Sequence, residues 1–250
     1  MSDRRTRRVP ATMRVPFAVA VGLICLAGLA GCTGSGSSSS RGGAAGETGT
    51  AGHTNGTFSA DQLKKALLIR INGVGPASAP DAGSYASLPA IKTAAAQMVG
   101  STITPADCAQ ATVLQAADLD TGALDGAPAA VANFRVGGDG VSEVLAAHPG
   151  SAAVATLAET VPAGCAHYTV TAGGKTVTYA VKQDLVQGIG MQPARIVNIS
   201  SPKQKSNVWS VLYRGDGFVG AITVDGPNAS EAVARALGQQ AYAYAAQSLS

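Results

Sequence analysis

Histidines, cysteines and clustered carboxylates are the side chains most suited to chemistry, and in this chain of 250 residues they are sparse. The three histidines, His53, His148 and His167, stand far apart, and no H-E-x-x-H, G-x-S-x-G or phosphate-binding loop occurs. Only a dispersed His-based triad escapes a test by spacing, because its members need not be neighbours in sequence. The run "DLDTGALDG" gathers Asp118, Asp120 and Asp125, but a calcium loop needs Asp or Asn where Gly122 stands and a glutamate at its twelfth position, which is absent. A solvated acidic turn is the reading. Arg214-Gly215-Asp216 spells an integrin-type tripeptide, yet Gly-Asp-Gly is what a tight hairpin requires. Trp209 and Tyr213 fall on one side of a strand and read as core. No catalytic, cofactor or metal site is expected, and the chain is read as a non-enzyme.

The four cysteines, Cys25, Cys32, Cys108 and Cys165, have separate fates. Residues 1–31 have the three parts of a secretory signal: an arginine-rich start, an apolar stretch over about 15–26, and small residues before a cut. The tetrad Leu29-Ala30-Gly31-Cys32 resembles the lipobox of bacterial lipoproteins. That resemblance implies cleavage before Cys32 and a diacylglycerol on its sulfur. Two acyl chains make a durable anchor where one is marginal, at about 0.8 kcal/mol per buried methylene. The pairs Arg4-Arg5 and Arg7-Arg8 hint at twin-arginine export without defining the route. Residues 32–57 are rich in Gly, Ser and Thr, and cannot bury a core. Such a tether reaches roughly 25–30 Å.

Removing the leader changes the charge. Five of the 18 basic residues and one of the 15 acidic ones precede residue 32, leaving 13 against 14. With no basic stripe to track phosphates, nucleic acid is excluded as a partner. Cys25 is lost with the leader and Cys32 takes lipid, so Cys108 and Cys165 remain in an oxidising compartment and are expected to pair. A metal pair and a redox pair are the rival readings.

The elements that position these residues belong to one expected domain, 58–250. Ser59 and Gln62 fit a capping box opening a helix that carries Leu63, Leu67 and Leu68, followed by a Gly/Pro-rich loop over 72–83. Thr104-Pro105-Ala106-Asp107 reads as a second helix start, with Cys108 on its first turn, and residues 151–161 as a third helix delivering Cys165. Strands are expected around Tyr168–Val170, Val177–Val181, Ala194–Ile199, Trp209–Tyr213 and Phe218–Val224, with Gly173-Gly174 and Gly215-Asp216-Gly217 as turns. A last helix starts near Asn228, with Val233, Leu237, Ala241 and Tyr244 on one face. The fold class is α+β: an antiparallel sheet of about five to seven strands with helices packed on one face.

The plan of lipobox, tether, Cys108 after Thr104-Pro105, Cys165 after a helix, antiparallel strands and an Ala/Tyr-rich closing helix resembles actinobacterial, mycobacterial-type lipoproteins of unknown function. Residues 58–250 also resemble the extracellular sensor domain of a mycobacterial serine/threonine kinase, through Cys108, Cys165 and the helix from Ala229. The resemblance implies a non-enzymatic ligand-binding or sensor module, lipid-anchored on the extracytoplasmic face of the cell membrane. Its ligand would be a small molecule, a lipid or a protein. The alternative is a carrier or assembly protein for a lipid or cell-envelope component.

Overall fold

The computed structural model describes residues 58–109, 124–148 and 160–250. The leader, Cys25, the lipobox, Cys32, the tether with His53, the pair Asp118 and Asp120, and residues 151–159 of the helix expected over 151–161 lie outside the described residues; Thr160 and Val161 are described and are not helical.

Among the described residues, three α-helices and nine strands follow in the order α1 (Ala60–Ala66), β1 (Asp81–Ser84), α2 (Pro89–Met98), β2 (Thr102–Thr104), β3 (Pro128–Val136), β4 (Asp139–Ala147), β5 (His167–Ala172), β6 (Lys175–Val186), β7 (Ala194–Ser201), β8 (Ser206–Arg214), β9 (Phe218–Asp225) and α3 (Glu231–Ser248). All strands join one antiparallel sheet in the order β1-β3-β4-β9-β8-β7-β6-β5-β2. The class is α+β as expected, but the sheet has nine strands rather than five to seven. The additional strands, β1 to β4, all precede Tyr168. The chain lays short β1 on one edge and short β2 on the other, then fills the middle, closing where β4 meets β9.

Local chemistry explains the turns. Gly173 and Gly174 both take positive φ between β5 and β6, as a two-residue hairpin demands, and Gly137 and Gly138 do the same between β3 and β4. Ser59 caps α1: its side chain accepts from the Gln62 N–H at 3.3 Å, and Gln62 Oε1 accepts from the Ser59 N–H at 2.9 Å. The segment before Cys108 departs from expectation. Thr104 closes β2 instead of capping a helix, the Thr104–Pro105 bond is cis, and a short 3-10 turn, Ala106–Cys108, follows, with Ala109 helical at the limit of the described residues. A similar turn, Ala163–Cys165, precedes β5.

The helices are not all on one face. α1 and α3 cover one side with Leu63, Leu67, Ile71, Leu237 and Ala241 over Phe134, Leu145, Val211 and Ile222. On the other side Tyr85, Leu88 and the start of α2 pack with the two cysteines over Val131, Val144, Val197 and Leu212. α2 thus lies opposite α1 and α3, because Leu88, just before Pro89, anchors it there. The buried stripe of α3 is Ala234, Leu237, Gly238, Ala241 and Ala245, while Val233 points outward. Small residues win this stripe because the helix lies close to the sheet: a side chain on Gly238 would press on Val211.

Candidate functional site

The disulfide joins Cys108 to Cys165 with an S–S distance of 2.06 Å and a Cα–Cα distance of 5.3 Å. It staples the turn after β2 to the turn before β5, so it secures an edge pairing that is only three residues long. Tyr168 and Tyr179 stack beside it on the same face, 5.3 Å between centroids. Burial pushes the Tyr179 phenol up.

That face turns polar toward one end of the sheet. The strand register sets Asn133, Ser142, Thr223 and Ser210 in one row across β3, β4, β9 and β8, with neighbours about 5 Å apart. The Ser210 and Thr223 hydroxyls share a buried hydrogen bond at 3.0 Å. One step further along, Arg135, Gly140 and Asp225 form the next row. Gly140 is needed there: the Asp225 carboxylate lies against its Cα, where a side chain would collide. Burial raises the pKa of Asp225, Arg135 pulls it down and Asp139 raises it further. Asp139 itself accepts from the Asn228 N–H at 3.0 Å and fixes the approach to α3. Over the buried Ser210–Thr223 pair, the partly exposed Asn133, Ser142 and Asp225 and the exposed Arg135 therefore form a ledge able to bind a polar ligand through donors and acceptors of both charges.

The helix face holds a different polar group. Glu143 is fully buried on β4 between Val141 and Leu145. Its Oε2 accepts from the Leu68 N–H just past α1, at 2.8 Å, while Oε1 has no partner. Tyr213, also fully buried, reaches this spot because Gly220 opposite it on β9 leaves room for its ring. Burial pushes the Glu143 carboxyl up to about 8, against the lowering pull of the Leu68 N–H. Burial, then the Glu143 charge, drives the Tyr213 phenol well above its usual range. Sequence reasoning missed this pair, although an acid in the alternation Val141, Glu143, Leu145, Ala147 was a visible sign of a buried carboxyl.

The remaining candidates do not converge. His148 is buried after β4, where its N–H donates to the Gly217 carbonyl, and exposed His167 opens β5. Five strand steps separate β4 from β5 in the sheet order, roughly 24 Å. Among the described residues no three His, Cys, Asp or Glu side chains come together as a metal cluster. Exposed Asp125 sits in a turn whose carbonyl accepts from the Ala86 N–H. The Arg214-Gly215-Asp216 segment is the expected hairpin turn, closed by the Gly215 N–H on the Phe218 carbonyl at 2.9 Å. Tyr213 is core, as read from the sequence, and Trp209 packs partly buried against the same core. Asn198, in an Asn-Ile-Ser triplet, spends its side chain on Asn207 Oδ1 and the Val208 carbonyl.

No protein-family model matches the chain, and no curated protein matches it. Among solved structures, the extracellular domain of PknH from Mycobacterium tuberculosis is similar over 78% of this chain and 97% of that one, with a TM-score of 0.50 at 14% identity. An uncharacterised protein from Mycobacterium smegmatis aligns over 67% of this chain and 86% of its own, with a TM-score of 0.39 at 14% identity. The first likeness is one of fold: this chain shares the architecture of that extracellular domain.

Proposed function

We propose that the chain is a lipid-anchored, non-enzymatic sensor or ligand-binding module on the extracytoplasmic face of the cell membrane. Its leader, 1–31, is removed, Cys32 carries the lipid, and residues 32–57 tether the domain of 58–250. The observation that carries this reading is the likeness to an extracellular domain over nearly that domain's whole length. The Cys108–Cys165 disulfide supports export. The tether would join at Phe58, whose ring meets Phe218 edge-on at 6.3 Å, at the start of β9. The ledge lies at the other end of β9 from Phe58, roughly 24 Å further on at about 3.4 Å per residue.

Two measurements test the reading on the full chain in its membrane. Mass spectrometry of the membrane-extracted chain should show a mature protein that begins at Cys32 with a diacylglycerol on its sulfur; a chain that begins elsewhere or whose Cys32 carries no lipid would overturn the anchor. Native mass spectrometry of the detergent-extracted chain should show capture of a polar small molecule or a protein, weakened by Arg135→Ala. Tightly held lipid instead would favour the carrier reading.

A further inference from the structure

Glu143 is fully buried on the helix face, whereas the other buried carboxyl of that face, Asp139, sits four residues away at the start of β4 and accepts from the Asn228 N–H. Glu143 joins the sheet to the end of α1 through a single hydrogen bond to the Leu68 N–H. Its surroundings provide no compensating charge. From β3 and β9 its cross-strand neighbours are Ala132 and Ile222. β8 contributes Tyr213, whose hydroxyl has no partner, and α3 contributes Tyr242, edge-on to Tyr213 at 6.0 Å. The charges of α1, Asp61, Lys64 and Lys65, are exposed on its outer side, as is Arg70 beyond it. Those of the first turns of α3, Glu231 and Arg235, pair with each other at 2.7 Å.

We propose that Glu143 is a proton-operated latch on α1: with its carboxyl protonated α1 stays seated on the sheet, and on ionisation α1 lifts away. A neutral carboxyl accepts from Leu68 and leaves a small polar debt at Oε1. A carboxylate in the same place has one hydrogen bond and no cation, an arrangement an apolar interior strongly disfavours. The cheapest relief is to let water in, and α1 is the smallest cover that can move. It is seven residues long and continues directly from Phe58, where the preceding chain enters the domain. The proton leaves to solvent, so the cycle needs no co-reactant. The device is independent of the sensor reading: it changes how firmly the domain holds its entry segment, whatever binds elsewhere.

The direction follows from burial. The carboxyl keeps its proton up to about 8 when α1 is seated, but ionises near its ordinary 4.5 once exposed. Opening therefore becomes more favourable as pH rises between those values, about tenfold per pH unit, and levels off above 8. Amide hydrogen exchange of the full chain, corrected for the intrinsic pH effect, reads this directly. The amides of α1 and Leu68 should lose protection about tenfold per unit from pH 5 to 8, while those of β8 and β9 stay unchanged. Glu143→Gln, which can still accept from Leu68, should abolish the pH dependence. Glu143→Leu should do the same with α1 uniformly looser, and serves if the glutamine variant does not fold. A flat wild-type profile, a slope surviving in Glu143→Gln, or equal loss of protection in β8 and β9 would each overturn the latch.

Discussion

The two faces of the sheet solve the problem of burial by different means. The helix face is covered by α1 and α3, which need no covalent help: α3 presents Ala234, Gly238, Ala241 and Ala245, so its backbone comes close to the strands over a long stripe. The disulfide face has, among the described residues, one ten-residue helix, α2, with no residue fully buried, and short turns over Val131, Val144 and Leu212 are held by one covalent bond. A seven-residue helix and an eighteen-residue helix buried on one side, against a ten-residue helix with no fully buried residue and two three-residue turns on the other, show where a cross-link matters. The polar groups differ in the same sense. The helix face tolerates one neutral acid sealed from water, whereas the disulfide face runs out into a ledge of hydroxyls and charges.

Removing the cross-link should break this comparison most visibly. Cys108→Ser with Cys165→Ser opens a loop of 57 residues and should cost about 4 kcal/mol in the chain-entropy account. Urea unfolding measures the total, and hydrogen exchange should place the first losses in β2 and β5 rather than in α3. If α3 loosens equally, the faces are not independent.

Next in size is Gly220→Val. A side chain there would run into the Tyr213 ring, which must then leave its seat between β9 and α3. Overpacking of this kind costs about 3 kcal/mol. The thermal midpoint should fall while the disulfide face keeps its protection. Thr223→Val then probes the ledge: it leaves the buried Ser210 hydroxyl without its partner, for a loss of about 1.5 kcal/mol. An unchanged denaturant midpoint would mean that water replaces the lost bond.

Legibility in the sequence divides along similar lines. The second half of the chain was readable because its strands alternate: Val177, Tyr179 and Val181 point one way and threonines the other, with Gly173-Gly174 as the hinge. Gly137-Gly138 carries the same turn signal, but β4 is buried on both faces through its last five residues, so its apolar residues run together and the alternation that holds through Val141 and Ser142 is masked. β1 and β2 escaped because they are edge strands of four and three residues, and Thr104-Pro105 closes β2 just ahead of the helical turn that carries Cys108. The cysteine pairing was legible from compartment alone. The ledge was not, since Asn133, Ser142, Thr223 and Ser210 come together only when the β4–β9 register joins the two halves.

The smallest effect tests whether α1 is an independent cover or part of one sealed layer with α3. Ser59→Ala removes the side chain that accepts from Gln62, half of the reciprocal cap. N-cap losses of this kind cost about 1 kcal/mol. The apolar contacts of Leu63, Ala66 and Leu67 with the sheet are untouched, so the helix should stay seated in most molecules. If α1 opens alone, its amides lose about fivefold protection, while the denaturant midpoint of the whole domain moves little because the open form keeps the rest of the sheet intact. If instead the midpoint falls by the full amount and α1 shows no separate opening, α1 and α3 unfold as one layer. The helix face would then hold its buried acid as rigidly as the disulfide face holds its stapled turns.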